Sequence, residues 1–297
     1  MDAIMAYTIN PTTGALTSAS APVLTKFLPA ALTVDPSGEF AYATGGINQP
    51  WVSAYAIDAA TGALWEVAGS PFAATEWGPQ SVTVGGSGKF VYVANTGWID
   101  AVEDSISAFA IDATTGSLSE IPGSPFPAQP ASSEPYYVID PLSITSDPSG
   151  RFAYTANYNS RSVFAYAING TTGALTGISD AGAEGYLPRS VTVDPSGKFV
   201  YVANFSPDYP DGAGAVTAYA INATTGALTS TGGAVAAGLD PSSVSVDPSG
   251  RFVYVANQRS NDVSGYAIDA NTGALTNIGT LAVGSMPASI TTARRSQ

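Results

Sequence analysis

Pro188-Arg189-Ser190-Val191-Thr192-Val193-Asp194-Pro195-Ser196-Gly197-Lys198-Phe199-Val200-Tyr201-Val202-Ala203-Asn204 spells two short strands and the turn between them. Ser190 to Val193 forms the first strand and Phe199 to Asn204 the second, with β-branched and aromatic residues at the repeating positions and an internal period of two. Asp194-Pro195-Ser196-Gly197 supplies the hairpin. Proline presets φ for the turn, the aspartate carboxylate accepts from nearby backbone N–H groups, and glycine takes the left-handed position.

The same turn stands at Asp35, Asp147, Asp194 and Asp247 and, in degraded form, as Gly85-Gly86-Ser87-Gly88, so the unit occurs five times. A second element of the general form Tyr-Ala-Ile-Asp/Asn-x-x-Thr-Gly-Ala-Leu follows each copy, at Tyr55, Phe109, Tyr166, Tyr219 and Tyr266. An extra copy opens the chain as Tyr7-Thr8-Ile9-Asn10. The serine that begins each unit, at Ser81, Ser143, Ser190, Ser243 and Ser289, recurs at intervals of 62, 47, 53 and 46 residues. A fixed period of this kind marks a repeat architecture, and its period of two inside each unit excludes helical solenoids.

Each unit therefore reads as four strands. In the best-written copy strand a is Ser190 to Val193, strand b Phe199 to Asn204, strand c Val216 to Ile221 and strand d Ala227 to Thr229. Strand b carries Phe199 and Tyr201 on one face and Val200 and Val202 on the other, so both faces have to be covered. An antiparallel sheet with one wet face would alternate apolar with polar, whereas radially stacked sheets bury each blade against two neighbours. The expectation is an all-β propeller of four-stranded antiparallel blades forming a single domain over residues 1–297. The chain opens with strands c and d only, around Met5 to Leu16, and closes with strand a only, at Ala288-Ser289-Ile290-Thr291. Six blades are expected as the sequence stands, with a truncated seven-bladed ring as the rival.

With 45% hydrophobic residues the chain can bury a large core, and its 23 acids against 10 bases give a net charge of −13. That balance argues against nucleic acid and anionic lipid as partners. There is no Cys and no His, so thiolate chemistry, the commonest general base and the usual zinc ligand are all excluded; no cofactor or metal is expected. No run is long enough to cross a bilayer. A monomer is expected.

The run from Pro188 to Asn204 resembles the repeat of the lactonase family of seven-bladed propellers, and strand b is similar to the Tyr-Val-Thr-Asn repeat of surface propellers. The resemblance extends over nearly the whole chain. It implies a propeller related to 6-phosphogluconolactonase-like and carboxymuconate-cyclase-like enzymes, which act on sugar lactones or related cyclic esters without a cofactor, and it favours an extracytoplasmic or cell-surface setting over the cytoplasm. In such enzymes a Gly-Pro-Arg-His run enters an innermost strand and a Glu follows the Asn that ends a strand b. Here the corresponding run is Leu187-Pro188-Arg189-Ser190, with serine in place of histidine, and Asn257 is followed by Gln258.

By analogy with other propellers, strand a is innermost, and the d-to-a and b-to-c connections share the mouth of the central channel, where binding sites form. The position after the strand-a proline is variable, taking Ala30, Gln80, Leu142, Arg189, Ser242 and Ala288, and Arg189 is its single cation. Arg189 can hold a carboxylate, a phosphate or a developing oxyanion; the alternative is a salt bridge to Glu184 or another rim acid. Arg161 and Arg259 occupy equivalent b-to-c loops. With histidine absent, a general base would be a carboxylate of raised pKa, and Glu76, Glu184, Asp240 and Asp262 lie in suitable loops.

Two loops exceed the repeat length. Residues 124–141 carry Glu134, Tyr136, Tyr137 and Asp140, and residues 205–214 carry Asp208, Tyr209 and Asp211. Trp51, Trp77 and Trp98 lie in other mouth-facing loops. Aromatics beside acids suit sugar stacking, hydroxyl recognition or calcium ligation, or else simple packing of a loop on the blade below it. The expected site thus has Arg189 and Glu184 as the catalytic candidates, and Gln80, Arg161, Ser190, Arg259, Tyr136, Tyr137, Asp208 and Tyr209 around a small polar ligand such as a sugar or lactone. Binding is expected over strong catalysis. A metal-independent lactone hydrolase and a structural surface repeat are the alternatives. The repeated turn acids, including Asp58, Asp112 and Asp269, are assigned no chemistry, and the sequons at Asn169 and Asn222 fall in the same turns.

Overall fold

The computed structural model describes residues 2–10, 13, 15–46, 49–74, 78–97, 104–128, 139–184, 186–206, 208 and 212–292. Among these residues there is no helix, and five antiparallel sheets of at least four strands follow one another along the chain. Blade 1 runs a to d as Pro29–Val34, Phe40–Gly45, Trp51–Ile57 and Leu64–Glu66. Blades 2 to 5 occupy residues 79–127, 141–182, 187–236 and 241–282 in the same order. Successive a strands touch one another, which puts them at the axis of a β-propeller and the d strands at its rim.

The Asp-Pro-Ser-Gly hairpin forms as its chemistry dictates. In blade 4 one oxygen of Asp194 accepts the N–H groups of Lys198 and Phe199, both at 2.8 Å, and the other accepts Ser196 N–H. Gly197 lies at φ +70°, the left-handed region where a side chain is strained. Asp35 makes the same contacts to Ser37 and Phe40. The c-to-d turns are analogous: Asn222 Oδ1 accepts from Thr224 and Thr225 N–H groups, and Asn169 Oδ1 from Thr171 and Thr172, so both sequons are turn caps.

Both faces of strand b are buried, as the sequence requires. Val200 and Val202 pack with blade 3 residues Phe152, Tyr154 and Val163, whereas Phe199 and Tyr201 pack with blade 5 residues Val244, Val246 and Tyr266. The Phe-x-Tyr pair of each of blades 1 to 4 grips the following blade. The Tyr hydroxyl donates to the carbonyl of that blade's c-to-d glycine, in the pairs Tyr42–Gly116, Tyr92–Gly173, Tyr154–Gly226 and Tyr201–Gly273, at 3.0–3.2 Å. Strand-c tyrosines reach the opposite way, Tyr219 to Gly182 O and Tyr266 to Ala236 O. The Asn at the end of strand b in blades 2 to 5 is fully buried, and in blades 2, 4 and 5 it donates to strand c, as Asn204 does to Thr217 Oγ1 at 3.0 Å.

The recurring strand-a serine is a joint between blades. Ser81, Ser143, Ser190 and Ser243 accept through Oγ the N–H of Ile144, Val191, Val244 and Ile290 respectively, each at 3.2 Å. The chain ends behave differently from each other. Ala3–Ile4 and Tyr7–Ile9 pair with Val23–Leu24 and Leu16–Ser18, as the c and d strands of a blade do, and Ile4 packs against Ala41, Ala43 and Tyr55 of blade 1. Residues 288–291, expected as a strand a, and Thr292 after them pair with no strand and form no ladder. They still dock on blade 5: Ser243 holds Ile290, and Thr292 Oγ1 donates to Val246 O at 2.6 Å. A ladder needs a neighbouring strand b, and among the described residues none stands beside this segment.

Candidate ligand site at the channel mouth

Strand a begins and strand b ends at the same edge of each blade. Backbone bonds tie the two connections together there, with Tyr158 N–H on Asp140 O, Gln258 N–H on Asp240 O, each at 2.8 Å, and Thr96 N–H on Gly78 O at 2.9 Å. The residue before the strand-a proline takes a left-handed conformation in blades 2, 3 and 5, as Gly78, Asp140 (φ 53°) and Asp240 (φ 58°). Aspartate tolerates that region better than most side chains. The turn places two carboxylates at equivalent positions of blades 3 and 5, on either side of blade 4.

Arg189 is the centre of the described site. Its Nη1 donates to Asp240 Oδ1 at 2.5 Å, an ion pair between blades 4 and 5 that remains partly open, the arginine side chain being 29% exposed. The guanidinium carbon lies 4.7 Å from the centroid of Phe205 and 5.8 Å from that of Tyr158, and the two rings are 6.2 Å apart. Three blades therefore immobilise one cation, with two aromatic rings and a carboxylate as its partners. Tyr158 and Phe205 were not legible as site residues. Both follow the Asn shared by the strand-b ends of blades 2 to 5, in the slot held by Thr96 in blade 2 and Gln258 in blade 5, and that variable slot beside a repeated Asn was the available signal.

Of the other expected residues, Gln80 Nε2 donates to Thr96 Oγ1 at 3.3 Å on the same rim. Ser190 is next to Arg189, but its Oγ is the acceptor for Val244 N–H and so serves the joint. Glu184 does not join Arg189. It follows the outer strand Leu175–Gly182, and its two oxygens accept Ser230 Oγ and Ala234 N–H, both in the outer part of blade 4. Arg161 and Arg259 are exposed in equivalent loops, and Arg161 carries φ 53°. Asp208 is exposed, and its N–H donates to Ser206 Oγ. Tyr136, Tyr137 and Tyr209, with Glu76, Trp77, Trp98, Glu134 and Asp211, lie outside the described residues.

A second rim feature is Asp140, whose Oδ2 accepts Asn159 Nδ2 at 2.6 Å. Burial, reinforced by the nearby Asp104 charge, raises the Asp140 carboxyl above its ordinary value. Asp104 itself accepts the N–H groups of Gly97, Ile139 and Asp140. Among the described residues no group of three or more acidic side chains is gathered as a metal would require.

The family described as the lactonase seven-bladed β-propeller matches residues 140–238 and 210–291, together just over half of the chain. The chain belongs to this family. Solved structures similar to this lactonase-family propeller include a candidate 6-phosphogluconolactonase of Bacteroides uniformis, with 19% identity, TM-score 0.62 and coverage of 96% of this chain and 93% of that one. The periplasmic gluconolactonase of Pseudomonas aeruginosa has 19% identity, TM-score 0.52 and coverage of 94% and 92%. Hydrazine synthase of Kuenenia stuttgartiensis has 17% identity, TM-score 0.65 and coverage of 97% and 83%. No curated protein matches. At these identities the shared property is the fold, and the different names of these three propellers illustrate that the fold does not bring one activity with it.

Proposed function

We propose that this lactonase-family propeller binds a small, neutral, hydroxyl-rich ligand of the sugar-lactone class at its channel mouth. The observation that supports this reading is the Arg189–Asp240 pair, fixed by Tyr158 and Phe205 yet still partly open to solvent. An arginine has five N–H donors and a carboxylate several acceptor sites, so a pair held in one geometry can present a donor edge and an acceptor edge to adjacent hydroxyls. Asp240 already balances the arginine charge, and the chain carries −13 overall, so an anionic ligand gains less here than a neutral one.

Hydrolysis is the second reading, and the observation that favours it is Asp140: a rim carboxyl with a raised pKa is suited to accept a proton from water near neutral pH. Calorimetric titration with gluconolactone and gluconate, and a hydrolysis assay on gluconolactone and 6-phosphogluconolactone, address both readings. Saturable binding that Arg189→Ala abolishes in a folded variant supports the first. Turnover lost in Asp140→Asn supports the second. Neither binding nor turnover by the native chain removes the site. We further propose an extracytoplasmic setting, in keeping with the periplasmic relative and testable by cell fractionation.

A further inference from the structure

Blades 1, 2 and 4 close their outer edge in the same way. After strand d the chain makes a short loop and returns beside strand c, so that Phe72 pairs with Val52, Phe126 with Ile106 and Val235 with Val216. The residue that enters the loop gives its N–H to a strand-c alanine carbonyl: Val67 to Ala54, Ile121 to Ala108 and Thr231 to Ala218. In blades 1 and 2 the loop then fills the joint with the next blade. The Phe72 and Phe126 rings lie over their own loop glycines, where a Cβ on Gly69 or Gly123 would meet Cε1 at 3.6 or 3.7 Å, and Leu118 and Leu175 of the following blades pack in the same cores. A loop serine also takes the alanine N–H, Ser70 Oγ accepting from Ala54 and Ser124 Oγ from Ala108. Ala54 and Ala108 are fully buried.

Blade 4 keeps this frame and lacks its filling. The loop is shorter, residues 232–234 against 122–125 in blade 2, and reads Gly232-Gly233-Ala234 with no serine. Val235 stands where blade 2 has Phe126, and Thr231 where it has Ile121. A Cβ on Gly232 or Gly233 would meet nothing within 4 Å. The result is a cleft of about 210 Å3 between blades 4 and 5, walled by Val216, Ala218, Thr231, Val235 and Leu275. Both blades have all four of their strands, so the cleft belongs to a complete joint. Ala218 is 8% exposed, and its carbonyl accepts both the N–H and the hydroxyl of Thr231, at 3.0 and 3.2 Å. Among the described residues nothing accepts from the Ala218 N–H on the same side of the strand.

Both gaps have a definite chemistry. An apolar cavity of about 150 Å3 takes one benzene ring, and a nearly buried backbone donor without an acceptor carries a cost that an oxygen relieves. We infer that the cleft binds a small single-ring aromatic alcohol of the benzyl alcohol and phenol class. The ring takes the place that the Phe126 ring has in blade 2, and the hydroxyl oxygen accepts from Ala218 N–H as Ser124 Oγ accepts from Ala108. Gly232 and Gly233 are exposed and leave the entrance open. This site lies at the outer edge of blade 4 and shares no residue with the Arg189 site at the channel mouth.

The test is methyl NMR of the full chain during titration with benzyl alcohol. The Val216, Val235 and Leu275 methyl signals shift saturably with 1:1 stoichiometry and a dissociation constant on the order of 1 mM. Toluene, which has the ring without the oxygen, binds roughly fivefold more weakly. Val235→Phe, which writes the blade 2 residue into blade 4, loses the response; should that variant not fold, Thr231→Ile, copying Ile121, makes the same test from the opposite wall. No saturable shift, shifts at other methyls in place of these, or undiminished binding in a folded variant overturns the inference. Equal affinity for toluene overturns it as well, because the Ala218 N–H would then take no part in recognition.

Discussion

The ring of Phe199 fills the space that a side chain on Gly273 would need: a Cβ there would lie 2.3 Å from the ring Cδ1, and Gly273 holds φ +74°. The glycine thus answers two demands, one local and one from the neighbouring blade. Gly273→Ala is expected to lower unfolding stability by about 2–4 kcal/mol, from left-handed strain plus overpacking. Gly62→Ala meets the strain alone, at φ +73° with open space, and is expected to cost about 1–2 kcal/mol. Urea midpoints of the two variants measure the difference. Equal losses would show that the Phe–Gly contact adds nothing to the joint.

Ser190 and Arg189 are neighbours in sequence with separate tasks. Ser190→Ala leaves Val244 N–H without its acceptor and is expected to cost about 1 kcal/mol in stability with ligand affinity unchanged. Arg189→Ala strands the Asp240 carboxylate and empties the space between Phe205 and Tyr158, so it is expected to cost about 1–3 kcal/mol and to remove binding. Thermal melts beside calorimetric titrations of both variants check this separation. Loss of binding in Ser190→Ala at full stability would assign the serine to the ligand after all.

Acid sensitivity follows from the turns. Burial opposes ionisation of Asp35 and Asp247, but hydrogen bonds from Ser37 and Phe40, and from Ser249, Phe252 and Arg251, outweigh it and hold both carboxyls below 3.8. Asp58, Asp112 and Asp269 are lowered by their threonine and backbone donors. A depressed folded-state pKa gives stability that is fully present above 3.8 and is lost as pH falls through the lower folded values. The chain is therefore expected to lose stability progressively below about pH 4, and Asp247→Asn to show a shallower acid slope than the native chain in melts between pH 2 and pH 6. Parallel slopes would remove Asp247 from the acid response.

The blades were legible because one physical demand repeats along the chain: Phe199, Tyr201, Val200 and Val202 must all be covered, and a stack of sheets covers them. The mouth was less legible because its partners come from different blades. Glu184 lies five positions from Arg189 in sequence, yet Asp240 takes the arginine, because the loops of adjacent blades meet at the rim while Glu184 follows an outer strand. Ser190 presents a polar group beside a candidate site, and only the fold reveals that its hydroxyl belongs to Val244 in the next blade. The closing strand a failed to form at residues 288–291 for the same reason: side-chain docking to blade 5 is encoded in Ser243 and Thr292, but a ladder requires a strand supplied from elsewhere.

Asp140 provides a test of opposite sign to the turn acids. Burial first, and then Asp104, raise its carboxyl above 3.8, so the folded chain holds that proton more tightly than the unfolded chain does. At neutral pH the ionised group subtracts from stability, and the loss is relieved as pH falls through the folded value toward 3.8. Asp140→Asn removes the charge and keeps an oxygen to accept Asn159 Nδ2, which bonds Asp140 at 2.6 Å. The variant is expected to be more stable than the native chain at pH 7 and to converge with it in acid. Thermal melts at pH 7, 5.5 and 4 decide the point, and a variant less stable at pH 7 would mean that the ionised carboxylate makes a favourable contact in the folded chain that outweighs its burial.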